Sequence, residues 1–274
     1  MRNARASHGR GGAGTMDGET PRRSGKSGRQ EQIIADLRLY PAMRVGELAE
    51  RLGVSSETIR RDLAELDERG LINRTYGGAM RPVVYEPGLA EREGLMVPER
   101  QRIAAAAVAG IEANDILMIG GGATTLHFAH RLAAVQQPLT VITHAFSIAL
   151  ALSVNPLIRI LMLPGQYDGR EGLIHGADTI DALQRFRANV AVLGASGLTV
   201  EGPNDAAMGP GLTYGAMMRR SARTLVLADH SKFNRPSLTV YGPWNPAITL
   251  ITDMQPDGEL AEAMASAGAG VEIA

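Results

Sequence analysis

Two stretches of this 274-residue chain carry residue types whose spacing suits chemistry. The first is Gly120-Gly121-Gly122-Ala123-Thr124-Thr125, directly after the apolar run Ile116-Leu117-Met118-Ile119. A strand, a glycine turn, hydroxyls and then a helix start is an arrangement that holds an anion. Glycines let backbone approach closely, and the first turn of a helix offers free N–H groups at its positive end. Thr124 and Thr125 add hydroxyl donors. This is not a dinucleotide loop, since position 125 is Thr rather than Gly or Ala, and no Gly-Lys-Ser/Thr of a nucleotide-triphosphate loop follows. A glycine turn that only packs a helix on a strand reads the same way, so anion binding and plain packing both stay open.

The second stretch is Ser55-Ser56-Glu57-Thr58-Ile59-Arg60-Arg61. Ile59, Leu63 and Leu66 recur at helical spacing and face a core, with Ser55 as N-cap. Ser56, Glu57, Arg60 and Arg61 then point outward near the helix start, where a recognition helix meets base edges. An outward arginine makes a bidentate contact to guanine worth ~1–3 kcal/mol of discrimination. Thr58 reaches a phosphate or a thymine methyl. Arg74, on a hairpin further along, is placed for backbone or minor-groove contact. Asp62, Glu65, Asp67 and Glu68, later on the same helix, read as an ordinary solvated face.

The elements around these stretches follow from periodicity. Ile33, Ile34 and Leu37 mark one helix, and Val45, Leu48, Ala49 and Leu52 a second that ends at Gly53. The helix of Arg60 is the third, and "LINRTYGGAMR" reads as a hairpin around Gly77-Gly78. Three helices and a hairpin make a winged helix-turn-helix over residues 29–81. Residues 1–28 are rich in Gly, Ser and Arg without apolar periodicity and are expected to be a disordered basic tail. Met16 offers a second possible start. Residues 82–98, with three prolines and two glycines, read as a linker.

From 99 to 274 helices alternate with short apolar strands: "DILMIG", "LTVIT", "IRILML", "NVAVLGAS", "TLVLAD", "AITLITD" and "GVEIA". Continuous apolar strands between helices predict a mostly parallel sheet covered on both faces. A long Gly/Pro loop is expected at 197–212, followed by a helix at about 213–221. Ligands of such sheets sit at the carboxyl edge. There stand Asp229 and Lys232, and the loop residues Asp168, Arg170 and His175. Lys232 would pair with a ligand anion or with Asp229. His127 and His130 lie three apart without a carboxylate or Cys beside them, so no metal and no cofactor are expected.

Composition narrows the function classes. Residues 1–81 carry 15 Lys+Arg against 11 Asp+Glu, a net +4, and residues 82–274 carry 13 against 18, a net −5. A basic front on an acidic body suits a polyanion-binding head joined to something else. There is no cysteine, which removes disulfides, Cys-ligated zinc and Cys nucleophiles and fits a cytoplasmic protein. No run approaches the ~18 apolar residues of a membrane span, and the basic N-terminus has no apolar h-region, so neither a membrane nor secretion is expected.

The segment "VSSETIRRDLAEL", with "RTYGGA" after it, resembles the DNA-binding signature of DeoR-family bacterial transcription regulators. The match falls on Ser55, Thr58, Ile59, Arg60, Arg61, Asp62, Leu63, Arg74, Gly77, Gly78 and Ala79, and the resemblance runs to about residue 252. It implies a repressor of a carbohydrate or related catabolic operon, not an enzyme. The partners implied are operator DNA, a homodimer or homotetramer, and a small effector, typically a sugar phosphate, in an α/β domain similar to ribose-5-phosphate isomerases. The effector positions implied are Gly120, Gly121, Gly122, Thr124, Thr125, Thr143, Gly165, Ser196, Gly197, Asp229 and Lys232. Several family residues are replaced. The usual Asp before the loop is Gly120, its first Thr is Ala123, and Asn after Thr143 is His144. A Glu and a Lys on a preceding helix fall at Pro210 and Tyr214. Those losses leave two alternatives: a regulator whose pocket is silent or takes a non-sugar ligand, and an isomerase-like enzyme with a DNA-binding head. An enzyme would need a general base, for which Asp168, Asp205 and Asp229 are available, with no pair standing out.

Overall fold

The computed structural model describes residues 25–39, 42–68, 72–75, 77–80 and 88–274. The chain divides into two compact units, Met1–Pro82 and Val83–Ala274.

The first unit holds α1 (Lys26–Leu39), β1 (Ala42–Arg44), α2 (Val45–Leu52), α3 (Ser56–Glu68), β2 (Asn73–Thr75) and β3 (Gly78–Met80). Ile33, Leu37, Leu48, Ala49, Ile59, Leu63 and Leu66 meet in one core with Met43, Ile72 and Ala79. The turn between α2 and α3 is closed by Gly53 in the left-handed region (φ 61°), and the Val54 N–H reaches the Ala49 carbonyl at 3.1 Å. The wing is a three-stranded antiparallel sheet in the order β1-β3-β2, where periodicity showed only a hairpin. Gly78 is what lets β3 close on β1, because a Cβ there would run into the Met43 carbonyl. The Val45 N–H donates to the Gly77 carbonyl (2.9 Å) and ties the wing to α2.

Helix α1 begins at Lys26 rather than Arg29, and its start is set by α3. Arg29 pairs with Asp62 through two contacts, 2.5 and 3.1 Å, and Lys26 and Gln30 both reach Glu65, at 2.6 and 3.0 Å. Asp62 is 2% exposed. For Asp62 the expectation of a solvated face is corrected: it is buried and clamps the first helix to the third, while Glu65, still half-exposed, adds its pairs at the surface. Of the expected tail, residues 1–24 lie outside the described residues.

The second unit begins with α4 (Leu89–Glu93) and α5 (Val97–Ala109), so the span read as a linker contains a helix and the start of another. Residues 81–87 lie outside the described residues. Then come β4 (Ile116–Ile119), α6 (Ala123–Leu132), β5 (Leu139–Thr143), α7 (Phe146–Leu152), β6 (Ile158–Met162), β7 (Gln166–Asp168), β8 (Leu173–His175) and α8 (Ala177–Leu183). The chain continues through β9 (Ala188–Gly194), β10 (Gly197–Thr199), β11 (Gly202–Asp205), α9 (Met208–Arg219), β12 (Ser221–Leu227), a 3-10 turn (His230–Lys232), β13 (Thr239–Val240), β14 (Ile248–Thr252), α10 (Gly258–Ser266) and β15 (Gly270–Ile273). Seven strands form one parallel sheet in the order β15-β14-β12-β9-β4-β5-β6.

Side chains alternate across that sheet. Leu117, Ile119, Val141, Val192 and Leu227 pack under α5, α6 and α7. Met118, Ile142, Ala191 and Leu193 pack under α8 and α9, and Val226 and Leu250 under α10. This three-layer sandwich is the arrangement that seven apolar strands require. The expected loop at 197–212 instead holds β10, β11 and the first residues of α9, which starts five residues earlier than the apolar spacing suggested.

Candidate functional site

In the first unit, Ser55 spends its hydroxyl on capping α3. It accepts from the Thr58 N–H at 3.1 Å, and the two hydroxyls lie 2.9 Å apart. Arg60 and Arg61 are exposed on the α3 surface, and each lies near Glu57, at 3.7 and 3.6 Å. Glu57 thus holds both guanidiniums over the N-terminal half of α3. Such exposed pairs are weak and readily exchanged for phosphate or base contacts. Ser56, one residue after the cap, is half-buried. Arg74 belongs to β2, and its side chain lies outside what the structure describes.

In the second unit, strand order decides what converges. The chain leaves β4 toward β5 and β6 on one side and, from β9, toward β12, β14 and β15 on the other. The switch falls between β4 and β9, the place at the carboxyl ends where open parallel sheets take their ligands. Gly120-Gly121-Gly122 follows β4, Thr143 ends β5, Ser196 follows β9, and Asp229 follows β12. These expected positions therefore share one edge of adjacent strands. Gly197 opens β10 against the Arg235 carbonyl, and Gly165 lies in the turn before β7 beside Thr179.

Several of these groups are already engaged. Gly122 adopts φ +129°, which favours glycine, and opens α6. Thr125 donates to the Gly122 carbonyl (3.0 Å) and Thr143 to the Ile119 carbonyl (2.8 Å), while Thr124 is buried in the first turn of α6. The Gly121 peptide is held on both sides. Its N–H donates to His144 Nε2 at 3.2 Å, and its carbonyl accepts from the Tyr214 hydroxyl at 2.8 Å. His144 Nδ1 donates in turn to the Ile174 carbonyl at 2.5 Å. That set of roles requires a neutral imidazole. Burial supplies one, lowering the His144 pKa to about 4. Tyr214 is kept protonated because burial raises its pKa. Its ring sits edge-on to His144 (centroids 5.6 Å) and to Tyr241 (5.5 Å). A Cβ on Gly120 would lie 2.8 Å from the Tyr214 ring. The space a larger residue would take at 120 is filled by the side chain at 214.

Asp229 is fully buried. Its Oδ1 accepts from the Ser231 N–H at 3.1 Å and from the Ser231 hydroxyl, and its Oδ2 faces Arg100 Nε at 3.5 Å. Arg100, on α5, was not singled out by sequence, being one arginine among 26. It also donates to the Arg92 carbonyl, and Arg92 pairs with Glu171 in the β7–β8 turn. Burial raises the Glu171 pKa, and the Arg92 guanidinium opposes that shift. Helix α4 is thus joined through two arginines to the strand ends. Lys232 is buried in the 3-10 turn beyond β12. His175 packs against Gly209 at the start of α9, and Asp168 accepts the Arg170 and Glu171 N–H groups.

A winged helix-turn-helix head joined to a doubly wound α/β domain is the make-up of a transcription regulator. A family model described as the DeoR-like helix-turn-helix domain matches residues 29–82, and one described as the DeoR C-terminal sensor domain matches residues 96–254. The chain belongs to the DeoR family of DNA-binding transcription regulators. It is 32% identical to the glycerol-3-phosphate regulon repressor of Escherichia coli over 83% of this chain and 91% of that one. It is 29% identical to the transcriptional repressor GlcR of Bacillus subtilis over 82% and 87%. A ribose 5-phosphate isomerase A structure from Methanocaldococcus jannaschii aligns at 16% identity and a TM-score of 0.37, over 49% of this chain and 53% of that one, which says nothing about chemistry. No described helix is long and apolar enough to cross a membrane.

Proposed function

We propose that the chain is a cytoplasmic repressor that reads paired operator half-sites as a homodimer or homotetramer and answers to a small metabolite at the carboxyl edge of its parallel sheet. The observation that carries the DNA reading is the Arg60-Arg61 pair, exposed on a helix whose opposite face fills the core. Ser56, Glu57, Thr58 and Arg74 complete the proposed contact surface, with Ser55 shaping it as the cap. Binding to DNA upstream of its own operon tests this. Arg60→Ala and Arg61→Ala should each weaken specific binding more than tenfold, in line with ~1–3 kcal/mol per base-reading arginine. Unchanged affinity in both variants would remove α3 as the reader.

The effector site is proposed at Gly120, Gly121, Gly122, Thr124, Thr125, Thr143, Gly165, Ser196, Gly197, Asp229 and Lys232. The held Gly121 peptide favours a second reading of this site, in which it takes a ligand other than a sugar phosphate or none. One loop amide is withdrawn by His144, and Asp229 already faces Arg100. An enzymatic role has less support: Asp168, Asp205 and Asp229 all accept hydrogen bonds from nearby backbone N–H groups. Turnover of ribose 5-phosphate by the pure protein would restore that role.

A further inference from the structure

The seven-stranded sheet ends at β6, and the surface over that end is apolar. Phe146 and Leu150 on α7, Val154 one turn on, Leu157, Met162 at the end of β6 and Tyr167 on β7 are 51, 74, 76, 43, 38 and 57% exposed. The Phe146 and Tyr167 rings touch edge-to-face, with centroids 5.3 Å apart, so helix and hairpin form one continuous face. From Ala145 to Met162 the one charged residue is Arg159 on β6, and α7 itself carries none. Water-facing helices elsewhere in the unit carry charges, such as Glu259 and Glu262 on α10 and Asp178 and Asp181 on α8.

We infer that this α7–β6 face is where a second copy of the chain docks, around a two-fold axis. Three observations select that occupant. Near such an axis each side chain meets its own counterpart, so a charge on the axis would face a like charge, and a helix face without charges, such as that of α7, is one that self-pairs. The six side chains expose on the order of 600 Å² per copy, so pairing removes about 1,200 Å² in all, the lower end of specific interfaces. Phe and Tyr are also the residues enriched in interface cores. Two other occupants fit poorly. Residues 1–24 bring five arginines and only two large apolar side chains, Met1 and Met16. DNA needs a cluster of cations, and the span 145–162 offers Arg159 alone. The inference rests on the proposed function at one point, the need for two heads on two half-sites.

Sedimentation of the full chain without DNA is the test. The wild type should be a dimer or larger, and Leu150→Glu should halve its mass while keeping its helical circular dichroism and melting. Leu238→Glu, on a separate exposed apolar site, should leave the mass unchanged. A monomeric wild type, an associated Leu150→Glu variant, or dissociation by Leu238→Glu or by deletion of residues 1–24 instead would each overturn the assignment. Should Leu150→Glu fail to fold, Val154→Cys replaces it. The chain has no other cysteine, so a bis-maleimide should link the copies through residue 154. A wild-type dimer with no linked product in the variant would also overturn it. Arg61→Ala should lose DNA and keep its mass, whereas Leu150→Glu should lose mass and, with it, more than tenfold in operator affinity. Failure of the interface and failure of the DNA reading therefore leave different marks.

Discussion

His144 shows how much one residue decides at the sheet edge. A neutral imidazole offers one acceptor and one donor, which Gly121 and Ile174 use. An asparagine side chain offers the same pair, so His144→Asn should fold with little loss at neutral pH. The two differ in acid. The folded His144 titrates near 4 and the unfolded one near 6.5, so unfolding takes up a proton between those values. Stability is full above pH ~6.5 and falls toward pH ~4, by up to about 1.4 kcal/mol per pH unit. Urea melts from pH 7 to 4.5 should show that slope in the wild type and a shallower one in His144→Asn; equal slopes would assign the acid sensitivity elsewhere. Tyr214→Phe should cost ~1–3 kcal/mol, because the Gly121 carbonyl loses its buried donor. Calorimetry should then record a Tm lower by several degrees, at about 2–4 °C per kcal/mol for a domain of this size.

At the scale of elements, the head depends on α1 being held to α3. Asp62→Ala leaves Arg29 facing a mostly buried gap, and breaking such a pair from one side costs about 3–5 kcal/mol. The head should melt early and lose DNA binding, while the transition of the second unit, followed by calorimetry, stays in place. Survival of operator binding at wild-type strength would show the clamp to be dispensable. The clamp also marks where sequence became hard to read. Helix α3 was legible because Ile59, Leu63 and Leu66 repeat locally. The start of α1 was not, because Lys26 and Arg29 are placed by acids 33 to 39 residues away. Strands β1, β10 and β11 are three or four residues long, and their pairing partners, not their composition, make them strands. The parallel sheet was legible strand by strand, since its central strands β4, β5, β9 and β14 are mostly buried and read as near-continuous apolar runs.

For the whole molecule, strand order turns scattered positions into one edge. Gly120, Thr143, Ser196 and Asp229 meet because β4, β5, β9 and β12 are neighbours. Arg100 joins them from a helix that carried no motif, so neither spacing nor the family resemblance singled it out, whereas the glycine loop and the strand ends at Asp229 and Lys232 were legible. A ligand seated at this edge binds the folded chain alone, stabilises it by ~2.7 kcal/mol at 100 times Kd and so must raise its melting temperature. A thermal-shift screen that includes sugar phosphates and unphosphorylated polyols should identify the class. A saturable rise with a sugar phosphate would remove the second reading of the site. A rise with Arg92→Ala that no longer alters DNA affinity would identify the α4 network as the route to the head.

The Gly121 peptide, gripped from opposite sides, also constrains how this site can change by mutation. Aspartate at 120 would collide with the ring at 214, and lysine at 214 would strip the Gly121 carbonyl of its donor. Each step alone is costly, and the two offset each other, since loss of the ring at 214 makes room at 120 and a carboxylate at 120 would pair with an ammonium at 214. Substitutions at 120 and 214 should therefore be strongly non-additive, and position 144, packed against the same ring, belongs to the same coupled set. A charged edge in place of this aromatic one is therefore reached most cheaply by a paired exchange at 120 and 214.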